Sequence, residues 1–212
     1  MAGDRWLTFD CYGTLIDWNG GIRGELARVF GEERADELLH RYHELEPQLE
    51  ADGKRSYREV LTEAMRALGA PEAEEDALAR SLPSWRPFPE VPHALRQVRA
   101  NGWKLATLSN TDRDFIDASQ EQIGVPFELA IVASEIASYK PALGHWRAFE
   151  REVGRLPDVH VAASLFHDIA PANELGLTSI WINRLGESAD PEPTRELSDI
   201  IPLPEALEEV AA

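Results

Sequence analysis

The stretch RWLTFDCYGTLIDW, residues 5–18, decides the fold. Its apolar run WLTF (6–9) ends directly on a carboxylate, Asp10, and Gly13 and Thr14 follow at once. A continuously apolar run of this length is typical of a buried strand, and a glycine after it permits a tight turn. We therefore predict a first strand whose carboxyl end carries an ionisable, functional side chain.

Four further apolar runs resemble the first. They are KLATLS (104–109), LAIVAS (129–134), HVAASLF (160–166) and SIWIN (179–183). Continuous rather than alternating apolar residues predict parallel strands that are covered on both faces. Helical segments with readable ends separate the later four runs, which predicts a doubly wound, Rossmann-like α/β core. The polar stretch 186–196 is predicted to be an exposed loop.

The interval between the first two predicted strands does not follow this alternation of strands and helices, because it contains helical patterns and no strand pattern. One helix is predicted to begin at a capping box formed by Ser56 and Glu59. The interval is therefore predicted to be an inserted, all-helical cap domain over 17–87. The α/β core domain then consists of 1–16 and 88–212, and the five predicted strands all lie in it.

Composition and charge exclude some classes of binding partner. The net charge is −17, from 38 acidic and 21 basic residues among 212, and such a field repels a nucleic-acid backbone. A small anionic substrate then needs positive groups concentrated at its site. No apolar stretch approaches the roughly 18 residues of a membrane helix, and no secretory signal is visible. The single cysteine, Cys11, indicates a reducing compartment, so we expect a cytoplasmic protein without a membrane partner. Its thiol is either reactive or a small apolar filler.

In an open parallel sheet, ligands bind beyond the carboxyl ends of the strands. Four segments bring polar residues there: Asp10, then Ser109 and Asn110, then Tyr139 and Lys140, then His167 and Asp168. A carboxylate such as Asp10 can be a nucleophile, and Lys140 nearby would lower its pKa. Asp168 could then orient or deprotonate a water molecule. The hydroxyl, the amide and the backbone amides after Asp10 are suited to hold an anionic group.

These segments carry a family resemblance. FDCYGTL (9–15), TLSN (107–110), YKP (139–141), and HD (167–168) followed by a helix and IWINR (180–184), resemble the four motifs of the haloacid dehalogenase superfamily. The helical insertion lies where that superfamily carries its cap, and the resemblance covers nearly the whole chain. It implies an enzyme with a doubly wound core, a helical cap and an aspartate nucleophile.

Two positions separate the branches of that superfamily. Most members of the superfamily that this chain resembles are magnesium-dependent phosphatases. They have a second aspartate two residues after the nucleophile. They also have an acidic metal ligand five residues before the aspartate of the last motif. Here these positions hold Tyr12 and Ala163. A phenol with a pKa near 10 is a poor acid for a leaving alcohol, and 2-haloacid dehalogenases have tyrosine at this position. The resemblance thus implies a 2-haloacid dehalogenase without a cofactor.

Two alternatives stay open. One is a magnesium-dependent phosphatase that acts on a small phosphorylated metabolite. The other is a non-catalytic relative that binds a small acid or a protein partner through the cap. Under the dehalogenase interpretation, Asp10 attacks C2 of a short 2-haloalkanoic acid to form an aspartyl ester. Asp168 directs water onto that ester, Thr14 orients Asp10, and Lys140 keeps Asp10 charged.

The substrate contacts are predicted in the same way. Arg41 and Asn110 receive the halide, while Ser109 and the backbone after Asp10, at Cys11 and Tyr12, hold the substrate carboxylate. Arg41 lies at the edge of the apolar stripe of its helix. Its guanidinium either reaches the cleft or stays solvated while its stem covers apolar surface.

The fourth motif departs from the well-studied dehalogenases. Leu165 stands where those enzymes have asparagine, and His167 stands where they have tryptophan. His167 lines a smaller halide pocket, assists the water, or is held by backbone at a strand end. The resemblance also implies a homodimer.

Overall fold

The computed structural model describes residues 4–51 and 53–210. The ends of the predicted core domain, 1–3 and 211–212, and residue 52 of the predicted cap lie outside this range. The described residues form a parallel sheet of order β3-β2-β1-β4-β5-β6. Its strands are β1 (Arg5–Phe9), β2 (Trp103–Ser109), β3 (Leu129–Val132), β4 (Val159–Ala162), β5 (Thr178–Ile182) and β6 (Arg195–Leu197). The predicted α/β class is confirmed.

Helices connect the strands and cover the sheet. Those around the sheet are α5 (Val91–Ala100), α6 (Arg113–Ile123), α7 (Ala133–Ile136), α8 (Gly144–Val153), α9 (Ala170–Glu174) and α10 (Leu203–Val210), with a π-helical turn at Leu165–Ile169. Between β1 and α5 the chain forms α1 (Trp18–Phe30), α2 (Ala35–Glu50), α3 (Tyr57–Ala67) and α4 (Ala77–Ser81). We call residues 18–84 the helical insertion; it also contains the 3₁₀ turns Glu32–Arg34, Glu72–Glu74 and Leu82–Ser84. No helix of the described residues has the length and apolar character to span a membrane.

The two faces of the sheet pack against different helices, because successive side chains of a strand point to opposite sides. On β1, Leu7 and Phe9 join the larger core cluster with α5, α6, α10 and the helical insertion. Trp6 points the other way and packs with Trp146 and Phe149 of α8 in a second cluster. Both faces of the central strands are therefore covered, as their continuous apolar runs predict.

Three segments differ from the sequence prediction. The sequence predicts a loop over 186–196, whereas in the structure β6 begins at Arg195 and pairs with β5 at the sheet edge. Of its three residues only Leu197 is buried, so no apolar run announces it. The ends of the predicted third and fourth strands, 133–134 and 165–166, are helical instead. Apolar residues continue through these turns, and periodicity does not separate a buried strand from a buried helical turn.

The helical insertion leaves and rejoins the core at one place. The backbone N–H of Asp17 donates to Arg86 O at 2.9 Å, and the N–H of Phe88 donates to Leu15 O at 3.0 Å. These two bonds hold the outgoing and returning segments side by side beyond the carboxyl end of β1. The insertion consequently lies over the edge of the sheet where the site is predicted. The domain division at 16–17 and 87–88 stays a prediction.

A second link joins α3 to the core. The predicted capping box at its N-terminus is present, with Ser56 and Glu59 each bonding to the other's backbone N–H. In addition, Asp112, just after β2, accepts hydrogen bonds from the N–H of Tyr57 at 3.0 Å and of Arg58 at 2.9 Å. A core carboxylate thus caps a helix of the insertion, where the helix dipole favours negative charge.

Candidate active site

The carboxyl ends of the strands open into a cavity of about 300 Å³ between the core and the helical insertion. Seven of the predicted site residues line it: Asp10, Tyr12, Ser109, Asn110, Lys140, His167 and Asp168. They come from four separate strand ends, because parallel strands carry all their carboxyl ends on one edge of the sheet. A cavity of this volume is at the small end of the range for ligand sites.

Lys140 lies at the centre of the charged groups. Its Nζ donates to Asp10 Oδ1 at 2.9 Å, to Asp168 Oδ1 at 2.6 Å and to the Leu108 carbonyl oxygen at 2.8 Å. An ammonium group has three hydrogens, so these three bonds use them all. The residue is only 3% exposed. Lys140 therefore holds two carboxylates in a fixed relation and has no hydrogen left for a ligand.

The second oxygen of Asp10 is held by Thr14. Thr14 Oγ1 donates to Asp10 Oδ2 at 2.8 Å and accepts from the N–H of Ala163 at 2.9 Å. Burial raises the pKa of Asp10 above its ordinary value, although Lys140 and Thr14 act in the opposite direction. The sequence predicted a lowered pKa from the lysine alone. The sign of that contribution is right, but the removal of water from the carboxylate outweighs it.

Asp168 has a partner that the sequence analysis missed. His160 Nε2 donates to Asp168 Oδ1 at 2.9 Å, and its Nδ1 lies 2.9 Å from Thr8 Oγ1. Burial opposes ionisation of Asp168, but Lys140 and His160 together lower its pKa. Its other oxygen, Oδ2, has no hydrogen-bond partner among the described residues. The result is a fixed, ionised carboxylate with one oxygen available as an acceptor.

One signal could have revealed this contact. Thr8 and His160 are polar residues inside two apolar runs, and they face each other in the register of β1 and β4. A histidine in the middle of a fully buried strand needs a hydrogen-bond partner. The partner, however, is eight residues further along the chain, beyond a π-helical turn that the sequence did not predict.

Tyr12, Asn110 and Ser109 differ in what they offer a ligand. Tyr12 OH lies 3.0 Å from Ser119 Oγ, and burial raises the pKa of this phenol well above its ordinary value, so it stays neutral. Asn110 Nδ2 donates to Lys140 O at 3.1 Å and to a carboxyl of the insertion at 3.3 Å. Ser109 Oγ is buried and has no partner within the described part of the chain. Ser109 is thus the free hydroxyl of the cavity, while Asn110 is fully engaged.

Two predicted contacts are not brought to the cavity. The side chain of Cys11 is fully buried in the larger core cluster, and burial raises the pKa of its thiol, so the thiol is neutral and packs as a small apolar group. Arg41 is exposed and is not part of the cavity wall. The reason lies in α2, whose inward face carries Leu38, Tyr42 and Glu46 at helical spacing. Arg41 is one residue from that face, about 100° round the helix axis, and points to solvent.

The insertion contributes carboxyl groups instead. Glu46 and Glu50 of α2 both line the cavity, at 9% and 8% exposure. Burial raises the pKa of Glu46 to about 7, and burial together with the charge of Glu46 raises the pKa of Glu50 to about 9. The sequence analysis missed both. Their signal was the spacing of Glu46 four residues after Tyr42, which places it on the buried face.

His167 lies in the π-helical turn and lines the cavity. Its Nδ1 is 3.2 Å from Ser164 Oγ, and Ser164 Oγ accepts from its backbone N–H at 3.1 Å. Burial lowers the pKa of the imidazole, so the ring is neutral at neutral pH. Both side chain and backbone are therefore anchored to the same serine, with the ring at the cavity wall.

Fold and site together define a class: a doubly wound α/β core with a helical insertion over a buried Asp–Lys–Asp cluster. The model of a family described as haloacid dehalogenase-like hydrolases matches residues 5–164. The chain belongs to this family of hydrolases, as the four motifs predicted.

Several characterised relatives are similar over most of the chain. The (S)-2-haloacid dehalogenase of Pseudomonas sp. (strain YL) is 28% identical over 85% of this chain and 83% of the relative. Haloacetate dehalogenase H-2 of Moraxella sp. (strain B) is 26% identical over 87% of this chain and 88% of the relative. The solved L-2-haloacid dehalogenase of Xanthobacter autotrophicus with chloropropionic acid covalently bound superposes with a TM-score of 0.83 at 16% identity, covering 97% of this chain and 99% of that one. At such identity the superposition shows the shared fold.

Proposed function

We propose that this protein is a hydrolytic dehalogenase that converts a short 2-haloalkanoic acid to the 2-hydroxy acid through an aspartyl ester. One observation carries the proposal: a carboxylate, Asp10, held on both oxygens at the cavity floor, beside a second carboxylate, Asp168, with a free oxygen. Relatives that align with most of this chain, at 28% and 26% identity, are named (S)-2-haloacid dehalogenase and haloacetate dehalogenase.

In the first step an oxygen of Asp10 attacks C2 of the substrate. The new C–O bond forms as the carbon–halogen bond breaks, and the halide leaves with the bonding electron pair. Thr14 and Lys140 fix the attacking carboxylate, which removes much of the entropy cost of alignment. Its raised pKa also indicates a poorly solvated, more nucleophilic carboxylate. No proton is needed by a departing halide, which suits a neutral Tyr12.

In the second step water opens the ester. Asp168 Oδ2 accepts a proton from water as the water oxygen bonds to the aspartyl carbonyl carbon. The bond between the aspartyl carbonyl carbon and the substrate oxygen then breaks, which leaves Asp10 as a carboxyl, and the departing alkoxide takes the proton from Asp168 to give the 2-hydroxy acid. The Asp10 carboxyl loses its own proton to solvent. His160 and Lys140 keep Asp168 ionised and aligned for this step.

The phosphatase alternative has less support in the donor set. Position 163 presents a methyl side chain, and its backbone N–H is engaged by Thr14. Among residues 4–51 and 53–210, no group of three or more His, Cys, Asp or Glu side chains is arranged to hold a metal ion. Mg²⁺ requires several hard oxygen ligands in near-octahedral geometry.

The test is halide release from fluoroacetate, chloroacetate and each enantiomer of 2-chloropropionate, with EDTA present. We expect release that ignores EDTA, and none from an Asp10→Asn variant of unchanged circular dichroism. Single turnover in heavy-oxygen water should place the label in the Asp10 carboxyl, because water attacks the aspartyl carbonyl carbon. Metal-dependent release of phosphate from p-nitrophenyl phosphate, without halide release, would instead support the phosphatase.

A further inference from the structure

The proposed substrate is an anion and needs hydrogen-bond donors, but few donors in the cavity wall are free to bind it. A 2-haloalkanoate is an anion, and the reaction releases a second anion. Lys140 is the only Lys or Arg among the described residues that line the cavity, and all its hydrogens are engaged. The amide of Asn110 is engaged as well, and Arg41 lies outside. An anion therefore has to find its donors elsewhere in the cavity wall.

The helical insertion contributes two buried carboxyls to the wall, beside the polar side chains of Asn19 and His43, which bond to each other. Glu46 and Glu50 lie one turn apart on α2 and face the cavity. Tyr42 OH and Tyr57 OH both donate to Glu46 Oε1, at 2.9 and 2.8 Å, and neither of these bonds uses Oε2. Glu50 Oε2 accepts from the Asn110 amide at 3.3 Å. The partners described for both carboxyls are thus neutral phenols and an amide.

Burial favours the protonated form of both carboxyls, because ionisation there lacks the stabilisation that water provides. The hydrogen bonds from Tyr42, Tyr57 and Asn110 favour the ionised form, but burial outweighs them. The raised pKa values of Glu46 and Glu50 agree with this. Negative charge on Asp10 raises both values further, whereas Lys140 lowers that of Glu50. The titratable groups of the wall besides the pair are Asp10, Tyr12, His43, Tyr57, Lys140, His167 and Asp168, with Tyr139 beside Glu50. Burial lowers the pKa of the His43 imidazole.

An independent observation marks where a ligand binds. Ser109 Oγ is buried at 1% exposure, lines the same cavity and has no partner among the described residues. A buried hydroxyl without a partner is uncommon in folded proteins and is satisfied when a ligand or water occupies the site. Ser109 therefore adds a third donor to those that protonated Glu46 and Glu50 would supply.

We propose that Glu46 and Glu50 bind the anionic end of the substrate as protonated carboxyl groups, in the role that a basic side chain would otherwise fill. The inference rests on the proposed function, since it concerns the anionic substrate of the same site. It makes affinity for carboxylates depend on pH. Affinity falls by about tenfold for each pH unit above the pKa of a group that has to stay protonated. The neutral imidazole of His167 contributes no such fall over this range.

The test is calorimetric binding of propionate, an unreactive carboxylate, to the full chain between about pH 6 and pH 10. For the wild type we expect affinity to fall by roughly tenfold from pH 6 to pH 8 and further above it, with net proton uptake on binding at pH 8. Glu46→Gln should still bind propionate, since an amide N–H also donates, but lose most of the fall up to pH 8. Glu50→Gln should keep the tenfold fall per pH unit that Glu46 causes and lose only the additional fall above about pH 9. Glu44→Gln, an exposed residue of the same helix, should match the wild type.

Several results of the same experiments would contradict the inference. Propionate affinity that ignores pH, binding without proton uptake, or no binding at all would overturn the inference. Tighter binding of propylammonium than of propionate, lost in the Gln variants, would assign ionised carboxylates and a cationic ligand instead. Wild-type halide release is measured separately. Halide release with pH-independent propionate binding overturns only this inference, whereas pH-dependent binding without halide release overturns only the dehalogenase proposal.

Discussion

Thr14 links the nucleophile to the neighbouring strand end. Its hydroxyl donates to Asp10 and accepts from the backbone N–H of Ala163, so one atom links the first motif to the segment that follows β4. We expect Thr14→Val, which keeps the shape and removes the hydroxyl, to lower kcat/KM by about 10–100-fold. Thr14→Ser is the matched control and should stay within about threefold. Equal losses in both variants would assign the effect to the methyl group rather than the hydrogen bonds.

The second prediction for a single residue concerns His160. It donates to Asp168, and Asp168 is proposed to act only on the ester. We expect His160→Leu to release about one equivalent of halide in a fast burst, followed by turnover about 10–100-fold slower than in the wild type. His160→Gln, which retains an N–H donor, should be less affected. Slowing of the burst itself would place His160 in the first step. The measurement is rapid-quench halide release at high enzyme concentration.

Among single residues, the sequence pattern was informative for groups beside a strand end. Asp10, Ser109, Lys140 and Asp168 each follow an apolar run directly or within a short loop, so their positions follow from the topology. The position of Arg41 relative to the cavity could not be predicted from the topology. Its predicted place depended on how α2 is rotated about its axis, and a shift of one residue turns a side chain by about 100°.

At the scale of elements, Asp112 joins α3 to the core by capping its N-terminus. We expect Asp112→Ala to lower the free energy of unfolding by about 1–2 kcal/mol and to raise KM, because α3 carries Tyr57 at the cavity wall. Ser56→Ala removes a cap from the same helix end without touching the core. It should cost about 1 kcal/mol and leave KM unchanged. Urea unfolding and steady-state kinetics measure both effects, and an unchanged KM in Asp112→Ala would contradict the link.

The elements themselves were predicted unevenly. Five strands and the capping box of α3 have strong local signals: continuous apolar runs, and a serine three residues before a glutamate. β6 has no such signal, because it is a three-residue edge strand stabilised by pairing with β5. The π-helical turn that carries His167 is also set by its surroundings, since apolar residues there are compatible with strand or helix.

At the scale of the whole molecule, the buried carboxyls make stability depend on pH. The folded pKa values of Glu46 and Glu50, about 7 and about 9, exceed the ordinary value of 4.5. The folded state therefore holds more protons than the unfolded state between these limits. The stabilisation is fully present below about pH 4.5 and is lost as pH rises through the folded pKa values.

We expect the free energy of unfolding to fall by roughly 3–5 kcal/mol between about pH 6 and pH 9, since one pKa unit corresponds to about 1.4 kcal/mol. Glu46→Gln with Glu50→Gln should flatten this fall, because neither amide ionises. Urea unfolding of the double variant, the wild type and Glu44→Gln at each pH measures it. A fall of the same size in the double variant would show that other groups are responsible.

The amino-acid sequence by itself determined the α/β core, the helical insertion and the convergence of Asp10, Lys140 and Asp168. These follow from local patterns and from one rule of topology, that parallel strands share an edge for their carboxyl ends. Only the tertiary structure decided which side chains of the insertion face that edge, and that His160 supports Asp168. Both depend on the packing of segments that are distant in the chain. The rotation of α2 about its axis places Tyr42 rather than Arg41 on the inward face, and it places Glu46 and Glu50 at the cavity wall.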